Sequence, residues 1–250
     1  MAQGRSSQEF LRVLYDVTRD AIGLVIPETC PVCGCSGTLC RDCKDDLQQP
    51  PVRFSPRAAL RAAAWTCGPY SGARRHLILS AKERGSGEAR RIMGAVFAAA
   101  VRRLAADGHI MPPEITPVIL IPAPTRSSSR RQRGGDPVTI ACDFACSQLP
   151  SSSVLPLVRI GGRTRDSAEL GASQRRRNLS GHIVPLAQFK HGISDKLRQR
   201  CAQATVILVD DVATTGATAA ETELVAASLG IRIDICLLYT SPSPRDATLS

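Results

Sequence analysis

The 250-residue chain has room for one ordinary domain plus a small appendage. Hydrophobic content of 43% against 22% charged residues rules out a disordered or fibrous chain, and 4% aromatics argue against reading bases on an aromatic platform. The formal charge of +10 points to an anionic partner, and residues 121–200 carry +9 of it, with 14 Lys/Arg against 5 Asp/Glu.

Residues 7–26 place Phe10, Val13, Leu14, Val17, Ile22 and Val25 at helical spacing, so residues 1–27 are read as an amphipathic helix ended by Pro27. Glu9, Asp16 and Asp20 dilute any basic face, which favours a packing surface over a membrane binder. There is no signal peptide pattern and no apolar run long enough for a membrane span, so the expectation is a soluble, cytoplasmic protein.

Ten cysteines in an intracellular chain suggest metal rather than disulfides. Five of them fall between Cys30 and Cys43, as Cys30-Pro-Val-Cys33-Gly-Cys35 and Cys40-Arg-Asp-Cys43. Two C-x-x-C pairs can bring four thiolates around one tetrahedral ion, the closed set that zinc takes in structural sites. Residues 28–48 are therefore read as a zinc module with Cys30, Cys33, Cys40 and Cys43 as ligands. Cys35 is either a spare or a substitute for Cys33. Cys67, Cys142, Cys146, Cys201 and Cys236 sit in apolar surroundings and read as small core residues.

The prolines between 49 and 57 suggest a linker. Two helices are expected next, His76–Lys82 and Glu88–Ala105, separated by Gly85 and Gly87. Val118–Ile121 is a short apolar run that suits a buried parallel strand. A helix is expected over residues 136–149 with Pro137 in its first turn, then a strand from Val154 to Ile160. Val206–Val209 reads as the clearest strand, followed by a helix at Ala219–Leu229 and a strand at Ile231–Leu238. Alternating strands and helices define an α/β domain with a mainly parallel sheet over residues 58–238. Residues 239–250 are Ser/Pro-rich and read as a disordered or non-native tail.

The segment from Val206 to Thr218 carries the chemistry. A strand delivers Asp210 and Asp211 to its carboxyl end, where open α/β sheets bind ligands. Thr214, Thr215, Gly216, Ala217 and Thr218 then form a small, hydroxylated loop entering a helix, a cradle for phosphate. Ionised carboxylates repel phosphate but accept strongly from ribose hydroxyls. Ribose carrying a 5′-phosphate satisfies both features.

This segment resembles the phosphoribosyl-pyrophosphate signature of type I phosphoribosyltransferases. The chain as a whole resembles the ComF family, which joins a cysteine-rich zinc module to such a domain. The resemblance covers about residues 28–238 and includes both C-x-x-C pairs and the Leu77–Glu88 region with Lys82. It extends to Ile121-Pro-Ala-Pro124, Arg126 through Gly134, Arg175 and Asn178. It implies a type I phosphoribosyltransferase-like fold with a hood, Asp210 and Asp211 as the catalytic pair on the ribose, and the Thr loop on the 5′-phosphate. The loop with Arg126 would hold diphosphate, and a mobile loop within 161–177 would bring Arg163 and Arg165 to it. Magnesium would accompany the diphosphate. Where relatives carry an aromatic residue and a Gln after Arg-Gly, this chain has Gly135, Asp136 and Pro137. Where purine-salvage relatives carry an Asp, it has Thr214, which cannot serve as a base at neutral pH.

Two functions from different classes follow. The first is transfer of a phosphoribosyl group from phosphoribosyl pyrophosphate to an unidentified nucleophile, with a nucleoside monophosphate as the other ligand of this type. The second is non-catalytic DNA handling in natural transformation, with single-stranded DNA or competence proteins as partners and a homodimer as an oligomeric form. Arg130, Arg131 and Arg133 stay open among diphosphate, nucleic acid and solvent. Lys82 is a lone lysine on an apolar stretch and a weak candidate. His76, His109, His182 and His191 show no metal spacing and read as surface or core residues.

Overall fold

The computed structural model describes residues 29–36, 39–124, 135–161, 183–212 and 215–241. The helix read over residues 7–26 lies outside them. The described strands are β1 (Val52–Arg53), β2 (Ala63–Thr66), β3 (Val118–Pro122), β4 (Ser152–Val154), β5 (Val158–Ile160), β6 (Ile183–Pro185), β7 (Thr205–Val212) and β8 (Ile235–Thr240). The α-helices are α1 (Arg41–Leu47), α2 (Gly72–Lys82), α3 (Gly87–Ala106), α4 (Pro137–Gln148), α5 (Asp195–Ala202) and α6 (Ala217–Ser228).

The main sheet runs β1-β2-β8-β7-β3-β4. All neighbours are parallel except the edge pair β1–β2. β3 and β7 lie side by side as interior strands, with Val118 opposite Thr205 and Pro122 opposite Val209. Their continuous apolar runs follow from burial on both sides. The pleat divides each run between two cores: Ile207 and Val209 face one, Val206 and Leu208 the other.

On the first face, α1 to α4 cover the sheet with Leu47, Leu77, Ile78, Phe97, Val101 and Cys142 among their buried residues. On the second, α6 contributes Ala219 and Ala226, and α5 contributes Cys201. The helix boundaries have local causes. Asp136 accepts a hydrogen bond from Val138 N at 3.0 Å with Pro137 opening α4, and Ser86 caps α3 by accepting from Ala89 N at 3.2 Å.

Several elements depart from the sequence reading. The supposed linker at 49–57 contains β1, and β2 was not anticipated. The strand read over 154–160 is two strands. Leu155 still donates to Leu120 O at 2.8 Å, but the chain then leaves the sheet at Pro156, which has no N–H to offer. β5 pairs instead with β6 in a small antiparallel sheet, and residues 162–182 between them lie outside the described set. The last strand starts at Ile235 rather than Ile231 and continues through Thr240. Tyr239 and Thr240, read as the start of the tail, are completely buried. No helix among the described residues is long and apolar enough to cross a membrane.

Candidate functional site

The cysteine quartet closes as its spacing suggests. The sulfur atoms of Cys30, Cys33, Cys40 and Cys43 all lie within 4.8 Å of one another. Tetrahedral zinc with Zn–S bonds of about 2.3 Å needs sulfurs roughly 3.8 Å apart, and Cys33 and Cys40 stand at 3.6 Å. A knuckle turn makes this approach. Gly34 sits at φ 79°, Gly34 N donates to Cys30 O at 2.8 Å, and Cys30 N donates to Cys35 O at 2.7 Å. Cys40 is the N-cap of α1 and Cys43 follows one turn later, so both sulfurs sit at the positive end of a helix.

Burial pushes the Cys30 thiol up, but backbone hydrogen bonds at Cys33, Cys40 and Val32 outweigh it and bring its pKa to about 6. Cys35 lies outside the quartet, 3.2 Å from Cys33. Its hydrogen bond with Cys33, and then the one with Cys40, pushes it up to about 12, so it stays a thiol. The quartet is a soft, all-sulfur donor set that can hold a metal ion such as zinc.

The knuckle is not an isolated lobe. Cys30, Val32, Cys43 and Leu47 share a core with Leu77 and Phe97. Asp46, on α1, accepts from Ala73 N at 3.0 Å and from Arg74 Nη1 at 2.5 Å, at the first turn of α2.

The acidic pair lies at a different place. β3 continues into α4 on one face and out to β4, whereas β7 continues into α6 on the other face and out to β8. The helices that follow β3 and β7 in the chain therefore lie on opposite faces of the sheet. Such a switch point, the crevice position of open α/β sheets, is where they usually bind ligands. Asp210 and Asp211 stand there on β7.

The pleat sends these two carboxylates to opposite faces. Asp211 points to the α2 side, where its Oδ2 lies 2.5 Å from Lys82 Nζ, and its Oδ1 accepts from Val212 N at 2.6 Å. Its main-chain oxygen accepts from Thr240 Oγ1 at 3.2 Å. Asp210 is half-buried, and its Oδ1 accepts from Asp211 N at 2.8 Å. Burial, followed by the charge of Asp211, pushes Asp210 up to about 7. Asp136 adds to the rise, while the Asp211 amide and Lys82 oppose it.

The loop after β7 turns at Gly216, which sits at φ 81° as the N-cap of α6. A side chain there would meet Pro56 Cβ at 2.6 Å, and Thr215 O accepts from Ala58 N at 2.8 Å. The segment after β1 therefore packs over the loop and fixes it. Thr215 Oγ1 accepts from Ala217 N at 3.3 Å. The first turn of α6 contains no acidic residue, so its positive end is not neutralised locally. Ala217 and Thr218 open that helix.

Asp210, Asp211, Thr215, Gly216, Ala217 and Thr218 thus line one strand-to-helix junction. Thr214, Arg126, Arg163 and Arg165 lie outside the described residues, as do Arg130, Arg131, Arg133, Arg175 and Asn178. Two residues at the crevice were undervalued in the sequence. Asp136 reads there only as the start of a helix and as a departure from the relatives' pattern, although its charge reaches Asp210. Lys82 is one of four lysines among 32 basic residues, an exception in an arginine-rich chain.

No family model matches the chain, and no curated protein matches it.

Proposed function

We propose that the crevice between β3 and β7 binds a ribose carrying a 5′-phosphate, and that its ligand is phosphoribosyl pyrophosphate. The observation that carries this reading is the junction itself: a half-buried Asp210 near the end of β7, followed six residues on by the Gly216 turn and the amino end of α6, whose first turn holds no acidic residue. Asp210 suits the ribose hydroxyls, and the turn suits the phosphate. Magnesium bound with the ligand would supply charge compensation for the diphosphate. Transfer would then form a bond from the nucleophile's lone pair to C1 of the ribose. The C1–O bond breaks with its electrons leaving on pyrophosphate, and the nucleophile's proton passes to water.

The cysteine quartet supports the ComF-like part of the reading, with zinc in a structural role. Isothermal titration of the metal-loaded protein with phosphoribosyl pyrophosphate and magnesium tests the proposal. Saturable heat that is lost in Asp210→Ala is expected. A wild-type protein that gives no heat, with all its zinc in place, overturns it.

A further inference from the structure

The adjacent carboxylates are not equivalent, and the difference assigns a role to Lys82. Asp211 has a side-chain exposure of 8%, and each of its oxygens already has a donor, Lys82 Nζ on one and its neighbour's amide on the other. Each oxygen keeps a second lone pair, but at 8% exposure little of the carboxylate is within reach of a ribose hydroxyl. Lys82 is different: 32% of its side chain is exposed, and an ammonium has three donors of which Asp211 engages one face. It is the last residue of α2, and so reaches the end of β7 from the α1–α4 side. The Gly216 turn and α6 reach the same strand end from the opposite side. Two anion-attracting features thus flank the crevice, one on each face of the sheet.

Resting on the reading of the site given above, we infer that Lys82 is a binding residue for the diphosphate end of the ligand. Asp211 is its positioning residue rather than a ribose contact. Asp210 alone meets the ribose hydroxyls. A lysine suits this place because its compact charge, held at a fixed point by a buried carboxylate, is a preorganised donor for a phosphate oxygen. The ligand spans the strand end, with its 5′-phosphate at α6 and its diphosphate at α2.

The test titrates the zinc-loaded full chain, with magnesium, using three probes: inorganic pyrophosphate, ribose 5-phosphate and phosphoribosyl pyrophosphate. In Lys82→Met, affinity for pyrophosphate and phosphoribosyl pyrophosphate is expected to fall tenfold or more, while ribose 5-phosphate changes less than about twofold. Lys82→Arg should recover part of the loss, and Asp211→Asn should show the Lys82→Met pattern in milder form. Asp210→Asn should do the reverse, weakening ribose 5-phosphate and sparing pyrophosphate. Unchanged pyrophosphate binding in Lys82→Met, or equal weakening of all three probes, overturns the role of Lys82. A loss of ribose 5-phosphate in Asp211→Asn as large as that in Asp210→Asn overturns the division between the two carboxylates. If the wild type binds none of the probes, the phosphoribosyl reading itself fails and takes this inference with it.

Discussion

Asp46 Oδ1 lies 2.5 Å from Nη1 of Arg74, whose side chain is completely buried. One carboxylate from the helix of the cysteine knuckle therefore compensates a guanidinium buried beside the core that both segments share. It also accepts from Ala73 N, because Ser71, the N-cap of α2, makes no side-chain cap bond. Arg74 Nε and Nη2 have no other hydrogen-bond partner among the described residues.

Asp46→Ala should accordingly be costly, by about 3–5 kcal/mol, since it strands a buried charge. Urea unfolding followed by circular dichroism measures this as a lower midpoint. Replacing both partners, Asp46→Leu with Arg74→Met, should cost less than the single change, because no charge is then left unpaired. A double variant less stable than Asp46→Ala would contradict this account of the pair.

Removing the metal should loosen the knuckle before the sheet. Elemental analysis of the purified protein should give one zinc per chain, lost on chelation or in Cys33→Ser with Cys40→Ser. Loss of about 4 kcal/mol in a domain of this size lowers the thermal midpoint by roughly 10 °C. Amide exchange should accelerate first in residues 29–47 and at the start of α2, which Asp46 caps. Uniform acceleration over β3 and β7 would mean that the knuckle does not unfold separately.

Asp210 gives stability a definite pH slope. Its folded value of about 7 lies above that of an unfolded carboxyl, so the native state holds this proton more tightly. Below about pH 4 both states are protonated and the group is neutral in the balance. As pH rises from there through about 7, the native state must give up a proton that the unfolded chain has already lost, so stability falls. Asp210→Asn should remove this part of the slope and gain stability over wild type at pH 8. Thermal melts of the two proteins between pH 4.5 and about 8 measure the difference. Parallel curves would show that Asp210 titrates normally.

Gly216→Ala should damage the crevice without touching a carboxylate. The added methyl group meets both a positive φ of 81° and Pro56 Cβ at 2.6 Å. A cost of about 1–3 kcal/mol is expected from the backbone alone. The turn can escape only by moving away from Pro56, so binding of ribose 5-phosphate should weaken together with stability. Unimpaired binding would show that the turn does not hold phosphate.

How much of this could be read in advance depended on whether the cause was local. β3 and β7 were legible because four consecutive apolar residues bounded by breakers have few other uses. The metal quartet was legible because its ligands lie within one short segment. β2 was hidden by the alanines from Ala62 to Ala64, which prefer helix. Its strand form comes from pairing Ala63–Thr66 against Ile235–Leu238, far away in sequence. The end of β8 was hidden by the Ser/Pro composition beyond it, although Tyr239 packs edge-on against Phe97 at 5.7 Å. Lys82 and Asp211 are an ion pair between segments 129 residues apart, and no periodicity in either segment announces the other.

One helix joins the cysteine quartet to the acidic end of β7. α2 is capped by Asp46 at its first turn and ends at Lys82, paired with Asp211. Its 11 residues are therefore a fixed measure rather than an arbitrary length. Adding or deleting a single residue would turn Lys82 by about 100° relative to Asp46 and shift it by about 1.5 Å. Either the cap or the ion pair would be lost. Substitutions at its exposed positions, such as Arg75 and His76, carry no such penalty. In homologous chains this helix should vary in composition and hold its length, as a gauge set between a sulfur cluster and a crevice.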